Sequence, residues 1–305
     1  MKFAGIDIGS NAVRLLVGDV IEREDHPIIK KLSLIRVPVR LGEDVFSNGK
    51  ISKQKSIHLV RTMEAFKILF EVFEVEAVRA CATSAMREAT NGEKVVSRVK
   101  KETGIRIEVI DGNTEAKLIM SNLWTQDIDP AGNYLYIDVG GGSTEVSVIV
   151  DGERLRSRSF PIGTLRSLKG KVRGEVWDEL HVWLNEITEV EHSKLMGIGT
   201  GGNINRIFKE NGNGFGEPLM IHDIQRIRDW VESYSIEDRI SKLRLRPDRA
   251  DVIIPAADIY LDIMRTAGLD KLLVPKVGLA DGIIYGLYRD HKKAIAENTR
   301  SELAG

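Results

Sequence analysis

Two stretches of this chain, more than a hundred residues apart, repeat one design, and that repeat constrains the fold more than any other feature. The later copy reads Tyr134-Leu135-Tyr136-Ile137-Asp138-Val139-Gly140-Gly141-Gly142-Ser143-Thr144-Glu145. An apolar strand ends on a carboxylate, and three glycines turn the backbone with its N–H groups free to face an anion. Ser143 and Thr144 add hydroxyl donors, and Glu145 brings a second carboxylate back near the turn mouth. Backbone amides and hydroxyls suit phosphate oxygens, while the paired carboxylates suit a hydrated Mg²⁺ that bridges to them. Taken singly, such a turn fits equally well a β-hairpin whose glycines serve only its geometry.

The second copy shifts that balance. Near the start the chain reads Ile6-Asp7-Ile8-Gly9-Ser10-Asn11-Ala12-Val13-Arg14-Leu15-Leu16-Val17. Aligned on the aspartates, Asp7 meets Asp138, Gly9 meets Gly140, Ser10 and Asn11 meet Gly141 and Gly142, and Arg14 meets Glu145. Downstream, Val78-Arg79-Ala80-Cys81-Ala82-Thr83-Ser84 resembles Leu195-Met196-Gly197-Ile198-Gly199-Thr200-Gly201. The separation is far too long for a solenoid period. The pattern predicts an α/β protein of two similar domains, each offering one hairpin to a shared phosphate cleft.

Composition narrows the setting. The formal charge is −1, from 44 basic and 45 acidic residues, so no global field draws nucleic acid or a membrane surface. A polyanionic ligand would need a local basic patch. Cys81 is the single cysteine, which excludes an intramolecular disulfide and a thiolate metal cluster and fits a reducing compartment. Met1 leads almost at once into a strand without a leader pattern, and no apolar run approaches the ~20 residues that span a bilayer. The expectation is a cytoplasmic protein that binds neither nucleic acid nor membrane.

Hydrophobic periodicity places strands at 2–8, 12–20 and 28–41, then a helix over about 52–72 with Ser52 as its N-cap. Leu59, Met63, Phe66 and Phe70 form its apolar face. A strand at 78–82 opens into a helix from Thr83, a further helix covers 93–103, and 105–110 returns as a strand. Asp111-Gly112-Asn113-Thr114-Glu115 starts another helix, where Glu115 in the first turn also suits the helix dipole without any chemistry. A hinge is expected near Trp124 to Gly132, dividing domains at 1–124 and 125–305. In the second half, strands at 134–150 and 153–161 precede a helix over 174–191 carrying Val176, Leu180, Leu184 and Ile187. Leu195 to Ile198 leads into Gly199-Thr200-Gly201-Gly202-Asn203, a glycine-rich turn suited to an anion at a helix N-terminus. Helices follow at 223–235, 247–266 and 281–296, with a short strand at 271–274.

Four motifs together, Asp7 to Asn11, Ala82 to Ala89, Glu115 to Ile119 and Asp138 to Glu145, resemble the exopolyphosphatase/guanosine pentaphosphate phosphohydrolase family. Arg249-Ala250-Asp251-Val252-Ile253 and Gly278-Leu279-Ala280-Asp281-Gly282 extend the resemblance nearly end to end. It implies two actin-like (ribonuclease-H-like) domains around an interdomain cleft, with the last helix packing back on the first domain. It also implies release of terminal phosphate from inorganic polyphosphate or from the 5′-triphosphate of guanosine pentaphosphate. By motif position Glu115 would be the base that activates water. Asp138 and Glu145, with Asp7 from the facing loop, would hold Mg²⁺ or Mn²⁺ or orient the water. Gly9, Ser10, Asn11, Gly140, Gly141, Gly142, Ser143 and Thr144 would grip phosphate, and Arg14 and Arg87 would take its charge. A monovalent cation such as K⁺, a homodimer and a place in the stringent response belong to the same resemblance.

Departures from the family pattern are local. Ala12 stands where a hydroxyl residue is usual, and Gly282 follows Asp281 where glutamate is usual. The chain stops near residue 305, so the extra helical histidine–aspartate domain of long members is expected to be missing, with a preference for short chains or nucleotides. His222-Asp223 does not replace it: the histidines scatter over 26, 58, 181, 192, 222 and 291, and Asp223 is expected at a helix cap. Two other functions stay open: a metabolite kinase on the same fold, and a non-catalytic sensor of polyphosphate or guanosine alarmones.

Overall fold

The computed structural model describes residues 1–23, 27–123, 128–190, 195–214 and 216–303, with the side chains of 188–190 and 298–303 outside that description. The expected domain boundary at 124/125, the first residues of the expected hinge, His26 and His192 therefore lie outside the described residues.

Strands β1 (Lys2–Ile8), β2 (Val13–Ile21), β3 (Ile28–Val37), β4 (Ala77–Ala82) and β5 (Ile107–Val109) form one sheet in the order β3-β2-β1-β4-β5. The second sheet takes β6 (Tyr134–Val139), β7 (Thr144–Val150), β8 (Glu153–Phe160), β9 (Met196–Thr200), β10 (Leu219–Met220) and β11 (Lys271–Leu273) in the order β10-β11-β9-β6-β7-β8. Both sheets are mixed. An antiparallel β1–β2 hairpin lies beside parallel β4, and an antiparallel β6–β7 hairpin lies beside parallel β9.

The duplication holds residue by residue. Asp7 pairs with Arg14 and Asp138 with Glu145, and the turns close through the same bond, Gly9 N–H to Ala12 O at 3.1 Å and Gly140 N–H to Ser143 O at 2.9 Å. Extending each register across its sheet gives two matching rows, Cys81–Asp7–Arg14–Arg36 and Thr200–Asp138–Glu145–Ser159. Because side chains alternate along a strand, every member of a row stands on one face of its sheet.

Helix Lys53–Phe73 follows its sequence pattern: Ser52 Oγ accepts from Lys55 N, and Leu59, Met63 and Phe66 are buried while Phe70 is half-buried. In helix Gly174–Val190 the four spaced apolar residues are all buried. Three expectations need correction, and one element has no counterpart among them. The third strand stops at Val37, since Pro38 has no N–H for the ladder, and Arg40, in the left-handed region at φ 53°, begins a helix over Leu41–Asn48. The stretch 247–266 breaks into Pro247–Ala250 and Ile253–Thr266, with the Asp251 carboxylate in the break held by Arg40. A short helix Ile236–Ser241, capped by Ser235, went unread. Asp223 lies inside the first turn of Ile221–Glu232 and accepts from Arg226, with Met220 at the cap position.

Two helices tie the sheets together. The last, Leu279–Leu303, buries Ala280 and Ile284 against Phe3, Leu16 and Val20 of the first sheet. Gly112–Met120 packs on β7, β8 and that final helix, within an apolar core shared by Cys81, Ile119, Tyr136, Ile198 and Ile283. Glu115, on that helix, and Glu145, on β7, are thereby brought together at the junction. Among the described residues no helix is long and apolar enough to cross a membrane.

Candidate active site

A cleft of about 420 Å³ opens between the two hairpin turns. Asp7, Gly9, Ser10, Asn11 and Arg14 line it from one side, Asp138, Gly140, Gly141, Ser143 and Glu145 from the other, and Glu115 joins them. The turns meet directly: a Cβ on Gly141 would stand 3.0 Å from Ser10 Cβ and 3.3 Å from Asn11 N. Asn11 Nδ2 donates to Asp248 O at 2.9 Å, and Ser10 Oγ lies 2.8 Å from Ser84 Oγ.

Three of the residues expected at phosphate stand elsewhere. Thr144 is fully buried and donates its hydroxyl to Ile162 O at 2.6 Å. Gly142 lies beneath the turn, where a Cβ would meet the Phe46 ring at 2.4 Å and Ser84 Oγ at 2.6 Å, and its carbonyl accepts from Arg166. Arg87 is exposed and donates to Ile110 O at 2.7 Å, outside the cleft lining, though still near enough to favour ionisation of Glu115 and Glu145.

Glu115, Asp138 and Glu145 each present a carboxylate oxygen within 4.8 Å of the others. Asp7, expected in the same set, is engaged by Arg14 instead. The helix that carries Glu115 starts at Asp111, whose side chain accepts from Thr114 N at 2.7 Å. Glu115 Oε2 is buried without a hydrogen-bond partner among the described residues. Burial, then Glu145, Asp138 and Asp7, hold the Glu115 pKa well above the ordinary carboxylate range. Burial and Asp138 push Glu145 up to about 7. Asp138 is pushed up to about 6 by burial and Asp7, against the Thr200 hydroxyl and Arg14. Three crowded carboxylates with one orphaned oxygen form a hard, anionic donor set that fits a divalent cation.

Opposite the acids stands a basic row. Arg14 binds Asp7, and Arg36 pairs with Asp248 deep in the structure. Arg249 lies against Gly202, the first residue of helix Gly202–Asn211, where a Cβ would approach Arg249 Nη2 to 2.9 Å. Burial and the repulsion of Arg36 and Arg14 lower its pKa to about 10. The repulsion that Asp7 and Asp248 leave unoffset, felt at Arg36 and Arg249, is what a polyanion would compensate. At the far end of the cleft lie Lys31 and Lys276, with Lys31 Nζ 2.6 Å from Asp281 Oδ1. Sequence reasoning missed Arg36, Lys31 and Lys276 as site residues, and quoted Arg249 only within a motif; the signal lay in the strand register, which carries Arg36 into line with Arg14 and Asp7.

Known proteins share this chain's sequence pattern and fold. Exopolyphosphatase 1 of Mycobacterium tuberculosis is 38% identical over 166 residues, 54% of this chain and 47% of the relative, so the match spans about half of that curated protein's length. Exopolyphosphatase 1 of Mycobacterium leprae is 28% identical over 93% of this chain and 88% of its own length. The crystal structure of an exopolyphosphatase from Cytophaga hutchinsonii superposes with a TM-score of 0.80 at 24% identity, covering 94% of this chain and 97% of the other, which establishes the shared two-domain fold. Residues 20–291 match the model of the Ppx/GppA phosphatase family, and the chain belongs to that family.

Proposed function

We propose that this protein is a phosphohydrolase that releases terminal orthophosphate from inorganic polyphosphate or from the 5′-triphosphate of guanosine pentaphosphate. The observation that carries the reading is the Glu115 carboxylate, beside Asp138 and Glu145, with a buried, unpartnered Oε2 and lining the same cleft as the two hairpin turns. Family membership and the basic residues across the cleft support it.

In this reading Glu115 takes a proton from the attacking water as the water oxygen bonds to the terminal phosphorus. The bridging P–O bond breaks, and orthophosphate leaves. Arg14, Arg249 and the amides of Ser10, Asn11 and Gly141 neutralise the charge that spreads over the phosphoryl oxygens, while the Gly9 and Gly140 amides close the turns. Asp138, Glu145 and Glu115 would hold Mg²⁺ or Mn²⁺, which when bound keeps the carboxylates ionised together and offsets phosphate charge. Ser143 and Ser159 keep Glu145 oriented, donating to its Oε1 at 2.7 and 2.8 Å. Cytoplasmic location and a homodimeric state belong to the same proposal.

The test is phosphate release with Mg²⁺ from short polyphosphate, long polyphosphate, guanosine pentaphosphate and ATP, comparing the wild type with Glu115→Gln. A hydrolase loses at least ~100-fold in rate when its base is removed. Binding without release from any of the four overturns the reading in favour of a sensor. Phosphate transfer from ATP to an added metabolite overturns it in favour of a kinase.

A further inference from the structure

Glu145 and Ser159 face each other across the β7–β8 ladder, and Ser159 belongs to none of the sequence motifs. Its hydroxyl donates to Glu145 Oε1 at 2.8 Å while Ser143 Oγ donates to the same atom at 2.7 Å. A carboxylate oxygen has two lone pairs in its plane, so two donors fill Oε1. Only Oε2 of Glu145 then remains for a cation or a water.

Gly112 completes the arrangement. A Cβ there would stand 2.7 Å from both Cβ and Oγ of Ser159 and 3.1 Å from Glu145 Oε1. The helix carrying Glu115 therefore sits directly on the Ser159–Glu145 pair, and its first residue has no side chain to push them apart. In the matching row of the first sheet, Arg36 occupies the place that Ser159 holds here. The two rows have diverged at this position, one toward a buried cation and the other toward a hydroxyl that serves a carboxylate.

We propose that Ser159 is a positioning residue of the phosphohydrolase, locking Glu145 through Oε1 so that it offers a single oxygen, Oε2, to the divalent cation beside Asp138 and Glu115. This rests on the function proposed above. Outer partners of metal-binding carboxylates typically change metal affinity or activity by about 10–100-fold. Losing the Ser159 donor leaves Oε1 held by Ser143 alone and lets the carboxylate rotate, so binding weakens while substrate contacts on the turns persist.

The experiment measures direct Mn²⁺ binding by electron paramagnetic resonance, together with kcat, KM and Tm, for the wild type, Ser159→Ala, Ser159→Thr and Glu145→Gln. The expected result is a Mn²⁺ Kd raised about tenfold and a lowered kcat in Ser159→Ala, with KM and Tm near the wild type. Ser159→Thr, which keeps the hydroxyl, restores both. Wild-type Mn²⁺ affinity in Ser159→Ala, alongside lost affinity in Glu145→Gln, overturns the positioning role and leaves the hydrolase reading standing. Equal defects in the alanine and threonine variants, or a Tm that falls with the affinity, overturn it as well. A wild type that binds no Mn²⁺ overturns both.

Discussion

Arg14 and Glu145 occupy the same register position in two copies of one hairpin, opposite Asp7 and Asp138 respectively. That one difference divides the cleft. The first copy carries a neutral ion pair, and the second carries two like charges. Replacing Arg14 by Gln leaves the Asp7 carboxylate, 6% exposed, without its guanidinium and close to Asp138. The expected cost is about 2–4 kcal/mol of stability, seen as a lower urea midpoint, with partial recovery in Arg14→Lys. An unchanged midpoint would show that cleft water alone sustains Asp7.

Glu115 is expected to trade stability for function. Its charge repels Glu145 and Asp138, and no group satisfies its Oε2. Glu115→Gln relieves the repulsion, so without metal at pH 7.5 the variant should melt a few degrees above the wild type while losing at least ~100-fold in rate. A variant that is both inactive and less stable would assign Glu115 a structural part instead.

The same crowding sets a pH dependence. Folding raises the pKa of Asp138 to about 6 and of Glu145 to about 7, so both bind protons more tightly when folded. Their contribution is complete below the unfolded carboxylate range and is lost as pH rises through these folded values. In EDTA, Tm should therefore fall between pH 4.5 and 7.5, by on the order of 5 °C. Saturating Mg²⁺ should abolish the fall. A metal-free Tm that climbs over this range would contradict the arrangement of the acids.

Thr144 separates motif from geometry. It sits beside Glu145 in sequence, but alternation along β7 sends the two side chains to opposite faces. Thr144→Val should cost about 1–3 kcal/mol, because Ile162 O loses its donor, and should leave KM and kcat within about twofold. A large rise in KM with normal stability would return Thr144 to the phosphate site.

How legible the molecule was from sequence follows from the range of each interaction. Hairpins, caps and amphipathic helices obey rules acting within a few residues, so Ser52, Asp111 and the Asp138–Glu145 turn could be read directly. Arg36 becomes part of the site only through the β2–β3 register, and Arg249 comes up against Gly202 of the cleft wall only because residues 248 and 251 dock on Arg36 and Arg40 of the first sheet's side. Those contacts join residues more than 200 positions apart, and no local pattern encodes them. Gly142 and Thr144 were misplaced for the converse reason, since membership of a motif says nothing about which face a residue takes.

Gly282 tests whether the last helix positions the chemistry. A Cβ on it would stand 1.9 Å from Leu118 O, 2.4 Å from Leu118 C and 3.0 Å from Ile119 N. All three are backbone atoms, so no side chain can swing aside, and Gly282→Ala must push the final helix away from Gly112–Met120. Glu115 stands one turn before Leu118 on the displaced helix and moves with it. Overpacking of this kind costs about 1–3 kcal/mol, and a displacement near 1 Å at a catalytic group costs about 100-fold in rate. Gly174→Ala is the control: a Cβ there meets nothing within 4 Å, so Tm and kcat should stay at wild-type values. If Gly282→Ala lowers Tm but leaves kcat intact, the helix crossing stabilises the junction without aiming Glu115. A fall in kcat larger than the Tm loss explains, measured well below the melting range, assigns it both parts.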